Sequence, residues 1–150
     1  MAIKGLHHDS KIELLSGLDV FEGLNRKQLG DIASLTTEIE VPAGRVLAQQ
    51  GEHGEELFVI VEGQVSIAID GNEVATLGAG DFFGEMALID GGRRIASATA
   101  VTDMVVLVLS RPEFRTLLAD VPEVAVVILE AVGKRLRENA DRKGGAPIGV

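Results

Sequence analysis

The chain has 150 residues, and 23 Asp+Glu against 14 Lys+Arg give it a formal charge of −9. That balance argues against nucleic acid and anionic membrane surfaces, because neutralising phosphates needs a basic face. The absence of cysteine excludes disulfides, thiolate metal sites and a cysteine nucleophile.

With 46% hydrophobic and 25% charged residues, the composition is that of one globular domain of ordinary size. The longest strictly apolar runs, residues 104–109 and 124–129, fall far short of the roughly 20 residues that span a bilayer. No basic-then-apolar leader opens the sequence, so a cytoplasmic location is expected. The aromatics are five phenylalanines, with no Trp or Tyr, so the core must be aliphatic.

In chain order, the first forty residues read as helical. Leu14, Leu15, Leu18, Phe21 and Leu24 recur at three-to-four spacing, and Gly17 and Gly23 divide the stripe into short pieces. Asn25 with Gln28 has the form of a capping box, and predicts a helix over residues 26–35 with Leu29, Ile32, Ala33 and Leu35 inward. From Glu38 to Leu109 the period becomes two. Leu57-Phe58-Val59-Ile60-Val61 reads as a strand covered on both sides, and Val65, Ile67 and Ile69 as one face of the next. Asp70-Gly71 signals a hairpin, with Val74, Ala75 and Leu77 on its return. Residues 96–101 and 104–109 read as two further strands across a Thr102-Asp103 turn. Seven or eight short strands imply a mainly β fold, an antiparallel jelly roll or β-roll with flanking helices.

The end is helical again. Ser110 and Glu113, with Pro112 between them, form one capping signature, and Asp120 and Glu123 repeat it with Pro122. The last helix is expected over about residues 122–141, burying Val124, Val127, Ile128, Ala131, Val132, Arg135 and Leu136. A single domain over 1–150 follows: helices at about 10–36, a β-roll at about 38–110, C-terminal helices at about 111–142 and a frayed tail at 143–150.

Charge and glycine are unevenly placed. No Lys or Arg stands between Arg45 and Arg93, an interval with nine carboxylates, and nine of the 18 glycines lie between Gly51 and Gly92. Residues 78–98, GAGDFFGEMALIDGGRRIASA, bring together a glycine turn, a carboxylate, a short apolar segment and two adjacent arginines. Arg94 can offer a bidentate fork to phosphate oxygens, and backbone N–H groups at a short helix start, from Glu85 to Leu88, can add donors. A carboxylate beside a phosphate is repulsive, so Glu85 is better placed as an acceptor for a sugar hydroxyl. Together these requirements describe a nucleotide sugar-phosphate. The plain alternatives are a solvated arginine pair, a surface carboxylate and glycines that serve only turns; Arg93 fits the first as well as it fits a ligand role.

The run Gly80-Asp81-Phe82-Phe83-Gly84-Glu85-Met86-Ala87-Leu88, followed by Arg93-Arg94-Ile95-Ala96-Ser97, resembles the phosphate-binding cassette of the cyclic-nucleotide-binding domain family. Pro42-Ala43-Gly44, Gln50-Gly51 and Val61-Glu62-Gly63-Gln64-Val65 support the likeness, which covers about residues 18–137. The resemblance implies that Glu85 binds the ribose 2′-hydroxyl and Arg94 the cyclic phosphate. Backbone N–H groups near Gly84, Met86, Ala87 and Ile95 would assist, and the ligand-contacting set would run over Phe83, Gly84, Glu85, Met86, Ala87, Arg93, Arg94, Ile95, Ala96 and Ser97. It also implies a C-terminal helix that closes over the base as a lid. Ile95 stands where Ala, Ser or Thr is usual in the family, and a Thr there accompanies cGMP preference, so cAMP is the expected ligand and cGMP the lesser one. Ser97 stands where Thr is common. The lid helix offers no aromatic, leaving Val132, Arg135, Leu136 or Arg137 to cover the base.

The expected function is therefore a non-enzymatic, cAMP-binding regulatory domain, stand-alone or excised, without a helix-turn-helix. Its partners would be a cyclic nucleotide, an effector protein and a second copy through the last helix at Val124, Val127, Ile128, Ala131 and Leu136. The alternatives are a degenerate module of the same fold used for protein contact, and a phosphodiesterase-like enzyme. The latter lacks a clear general base or metal cluster: His7, His8 and His53 have no ligand partners at useful spacing and read as surface residues. No catalytic residue, metal or cofactor is expected.

Overall fold

A computed structural model describes residues 2–3 and 8–140. The elements run β1 (Ala2–Ile3), α1 (His8–Ser16), a 3-10 turn (Asp19–Phe21), α2 (Arg26–Leu35), β2 (Thr37–Val41), β3 (Val46–Ala48), β4 (Glu56–Glu62), β5 (Val65–Ile69), β6 (Asn72–Leu77), β7 (Phe82–Phe83), α3 (Glu85–Asp90), β8 (Ser97–Ala100), β9 (Met104–Ser110), α4 (Arg111–Asp120) and α5 (Glu123–Ala140). Tail residues 143–150 and His7 lie outside the described residues.

The strands form two antiparallel sheets, one of five strands in the order β1-β2-β9-β4-β7 and one of four in the order β3-β8-β5-β6. This is the antiparallel β-roll that the alternating pattern implied. The central strands β4 and β9 of the five-stranded sheet are buried on both faces. Met104, Val106 and Val108 of β9 point into the roll with Phe58, Ile60, Val65, Ile67 and Ala98. Leu107 and Leu109 point the other way, into a cluster with Ile32 of α2, Phe114 and Leu117 of α4 and Ile128 of α5. That double burial explains the unbroken apolar run over residues 104–109, since a strand with no solvent face has no polar alternation. Burying one such leucine completely contributes about 1.5–3 kcal/mol.

Local signals set several boundaries. Asn25 accepts from the Gln28 N–H at 2.9 Å, and the Gln28 side chain accepts from the Asn25 N–H at 2.8 Å, so α2 starts at Arg26. Ser110 and Glu113 form the corresponding pair at the start of α4. The β5–β6 hairpin turns through Asp70 at φ 52° and Gly71 at φ 81°, both in the left-handed region, matching the strand twist as a mirror-image turn does.

Three expectations need correction. Asp120 does not cap α5; it is the last residue of α4, which runs on until the Val121 N–H donates to the Leu117 carbonyl at 2.7 Å. Leu136 is 56% exposed rather than part of the buried stripe of α5. The helix leaves the cluster after Val132, so apolar spacing there no longer has a partner to face. Val124 and Ile128, named for a self-pairing face, are buried within the monomer, and the exposed apolar residues of α5 are Val126, Leu129 and Leu136.

Candidate functional site

The cassette hangs on a two-residue strand. Phe83 of β7 pairs with Phe58 of β4, and Phe82 with Val59. Their side chains point to opposite faces: Phe83 packs inside the roll, its ring 4.9 Å from that of Phe58, while Phe82 belongs to the helical cluster. The chain then turns through Gly84 at φ 97° into α3, and Gly91 at φ 73° ends that helix by donating its N–H to the Ala87 carbonyl at 3.0 Å. The returning segment is fastened to the loop before β4. The Arg94 N–H donates to the Glu52 carbonyl and the Gly51 N–H to the Arg94 carbonyl, both at 2.8 Å.

These constraints bury two opposite charges. The Arg94 residue is 5% exposed, and its guanidinium donates to the Glu56 carbonyl at 2.6 Å and to the Gly84 carbonyl at 3.1 Å. It lies in a slot that two glycines create. A Cβ on Gly54 would stand 2.8 Å from the Arg94 Cζ and Nε and 2.4 Å from the Ala87 Cβ, and one on Gly84 would stand 2.7 Å from the Arg94 Nη1. Glu85 is fully buried. Its Oε1 accepts from Arg135 of α5 at 2.8 Å, whereas its Oε2 is buried without a hydrogen-bond donor. A buried acceptor left unsatisfied costs about 1–3 kcal/mol, more when charged.

Burial is the largest influence on both groups. It pushes the Glu85 carboxyl above its ordinary range, against the lowering effects of Arg135, its own backbone N–H and Arg94. It pulls the Arg94 guanidinium below its ordinary value, against the raising effects of Glu56, Glu85 and Glu55; a guanidinium nevertheless keeps its charge. Arg135 also donates to the Phe82 carbonyl, and its guanidinium carbon lies 5.1 Å from the centre of the Phe82 ring. One side chain of the last helix therefore covers both the strand and the helix of the cassette.

Of the other residues singled out in the sequence, Ala87 and Ala96 are buried, while Met86, Ile95 and Ser97 are half-buried. The Ser97 hydroxyl accepts from the Gln50 N–H at 2.9 Å and from the Gln49 amide at 3.4 Å. Arg93 is exposed and donates to the Gly51 carbonyl at 2.9 Å. Val132 packs half-buried against the helical cluster, and Leu136 and Arg137 are exposed. Sequence reasoning missed Gly54, whose only signal was its membership of the glycine-rich interval. It also missed Glu56, which contributes a backbone carbonyl that any residue type could supply.

Among the described residues no group of three or more His, Cys, Asp or Glu could hold a metal ion. No described helix is long and apolar enough to cross a membrane. A cavity of about 390 Å³ beneath α1 is lined by Ser10, Glu13, Leu14, Glu38, Val61, Glu62 and Val105. Its carboxylates would repel a phosphate.

Comparison with known proteins identifies a family. A cyclic nucleotide-gated potassium channel of Rhizobium etli is 37% identical over 135 residues, covering 90% of this chain and 36% of the channel. A CRP-like cAMP-activated global transcriptional regulator of Mycobacterium tuberculosis is 31% identical over 130 residues, covering 83% of this chain and 58% of the regulator. The chain thus spans less than two thirds of either relative. Among solved structures, a cyclic nucleotide-binding domain from Methylobacillus flagellatus superposes with a TM-score of 0.77 at 28% identity, covering 90% of this chain and 81% of that one. The Thermus thermophilus catabolite activator protein gives 0.72 at 35% identity over 79% of this chain and 58% of that one. The profile of the cyclic nucleotide-binding domain matches residues 38–121, more than half of the chain, and the protein belongs to that family.

Proposed function

We propose that this chain is a regulatory domain that binds cAMP in preference to cGMP, catalyses no reaction, works in the cytoplasm and reports occupancy through α5. The observation that carries this reading is the fully buried Glu85, with a donorless Oε2, in the same cassette as the glycine-bounded guanidinium of Arg94. A ribose 2′-hydroxyl would donate to Glu85, and the cyclic phosphate would take a charge-assisted fork from Arg94. Backbone N–H groups around Gly84, Met86, Ala87 and Ile95 would complete the sugar-phosphate contacts. Half-buried Ile95 has no hydroxyl to offer a guanine base, which favours adenine. Relatives named for cAMP activation and as a cyclic AMP receptor protein point to the same ligand. The ligand shifts the population of α5 positions only by its differential affinity for them.

Calorimetric titration with cAMP, cGMP and 5′-AMP tests this. The wild type should bind cAMP most tightly, and Arg94→Ala should lose about 1.5–3 kcal/mol, tenfold to more than a hundredfold in affinity. No heat with any cyclic nucleotide up to millimolar concentration would overturn the reading.

A second reading is a module of the same fold that binds protein instead. It is favoured by Arg135 engaging Glu85 Oε1 and by Arg94 donating to two backbone carbonyls. It predicts no thermal shift with cyclic nucleotides and a stable partner in pull-down. Self-pairing through α5 would have to use Val126, Leu129 and Leu136, and light scattering decides it.

A further inference from the structure

The cassette helix α3 is held at both ends by arginines from the two C-terminal helices. At its start, Arg135 of α5 reaches Glu85. At its other end Arg111, the first residue of α4, donates to the Ala87 carbonyl at 3.2 Å and to the Leu88 carbonyl at 3.3 Å. The same guanidinium donates to the Gly54 carbonyl at 2.8 Å and lies 3.5 Å from a Glu55 carboxylate oxygen, and the Arg111 N–H donates to the Glu55 carbonyl at 3.0 Å. Gly54 is the glycine whose α-carbon forms one wall of the Arg94 slot, and the space that its missing Cβ leaves is closed by both Arg94 and Ala87. Arg111 therefore holds, with one planar fork, the wall of the Arg94 slot and the C-terminal end of the cassette helix, where a cation is favoured.

The two arginines differ in what they hold. Arg135 bonds the Phe82 carbonyl and one oxygen of a side-chain carboxylate, a group that a ligand hydroxyl can also reach. Arg111 bonds mostly backbone carbonyls, those of Gly54, Glu55, Ala87 and Leu88. We propose that Arg111 is a positioning residue that acts as the fixed pivot of the cassette. It keeps the Arg94 slot in shape and ties α3 to α4, so that release or capture of Glu85 by Arg135 becomes a rotation of α5 about α4. The coupling to ligand rests on the nucleotide reading; the clamp itself does not.

Hydrogen exchange on the full chain, with and without cAMP, tests it in the wild type, Arg111→Ala, Arg111→Lys and Arg135→Ala. Without ligand, Arg111→Ala should raise exchange by about tenfold in residues 52–56 and 85–91 together, while Arg135→Ala should leave 52–56 unchanged. With cAMP, Arg111→Ala should bind about tenfold more weakly and, at saturation, fail to pass a change of exchange to residues 123–140. Arg111→Lys keeps one cationic donor and should recover part of both. The pivot is overturned if Arg111→Ala keeps wild-type exchange at 85–91, or if at saturation it gives the wild-type response in α5. Should Arg111→Ala not fold, Arg111→Lys carries the same readings, and a wild-type response there overturns the proposal. If the wild type binds no cyclic nucleotide, the nucleotide reading fails, and the ligand-free exchange pattern still decides the clamp.

Discussion

Arg135 and Glu85 stand fifty residues apart, yet their side chains meet at 2.8 Å, and the carboxylate so engaged has no solvent exposure. The arginine is 19% exposed, so it couples a buried group to the surface of the last helix. Removing it leaves the Glu85 charge short of its closest partner. Arg135→Ala should lower stability by about 3 kcal/mol, a fall in Tm of roughly 6–12 °C. Adding Glu85→Gln should restore part of the loss, because a neutral amide needs no counter-charge. A thermal-melt cycle over the two single variants and the double should show a coupling of about 1–3 kcal/mol. Additive losses would mean that the pair contributes nothing beyond its separate packing.

The titration of Glu85 gives a second expectation. Burial raises its carboxyl above the unfolded value of 4.5. A raised folded-state value means that the native state holds the proton more tightly. The stability contributed by that proton is complete below the unfolded pKa and is lost as pH rises through the folded one. Glu85→Gln cannot titrate, so its stability relative to wild type should increase between pH 4.5 and pH 7. Urea denaturation at those two pH values measures this. A relative stability that falls instead would show that Arg135 and Arg94 outweigh desolvation.

The two slot glycines should behave unlike a turn glycine. Gly84 has φ 97°, and an added Cβ would stand 2.7 Å from the Glu56 carbonyl oxygen and from Arg94 Nη1; Gly54 is confined by Arg94 and Ala87. Alanine at Gly84 combines backbone strain with overpacking and should cost about 2–5 kcal/mol. Alanine at Gly54 carries the overpacking alone, about 1–3 kcal/mol. Gly71, at φ 81° with nothing within 4 Å, should show only the strain, about 1 kcal/mol. Both slot variants should weaken cAMP binding in the calorimeter, whereas Gly71→Ala should not.

The entry to the C-terminal helices gives a fourth expectation. The Ser110 hydroxyl accepts from the Glu113 N–H at 3.4 Å, and the Glu113 carboxylate accepts from the Ser110 N–H at 2.9 Å. Ser110→Ala should cost about 1 kcal/mol in chemical denaturation. An unchanged midpoint would show that the Arg111 contacts alone hold the start of α4.

The parts of this fold that were readable in the sequence are those decided within a few residues. The Asn25–Gln28 and Ser110–Glu113 boxes, the Asp70-Gly71 hairpin and the alternation of β5 each depend on neighbours close in the chain. Asp120 misled because Pro122 and Glu123 repeat a helix-start pattern where α4 had not yet ended. Leu136 misled because helical spacing says which residues share a face, not whether anything covers that face. The burial of Arg94 and Glu85 depends on segments far apart in sequence. Gly54 supplies space, Glu56 a carbonyl and Arg135 a counter-charge, and none of these leaves a local mark.

The paired phenylalanines of β7 constrain how the cassette can move. Phe82 is seated among the helices and Phe83 inside the roll, so a slip of one residue along β4 would exchange the two rings between two separately packed interiors. A register slip is thereby closed to the cassette. A grafted copy of the segment would need a host with an apolar interior on each side of a single strand. Without both, it would carry the arginine and the glutamate but not the register that brings them together.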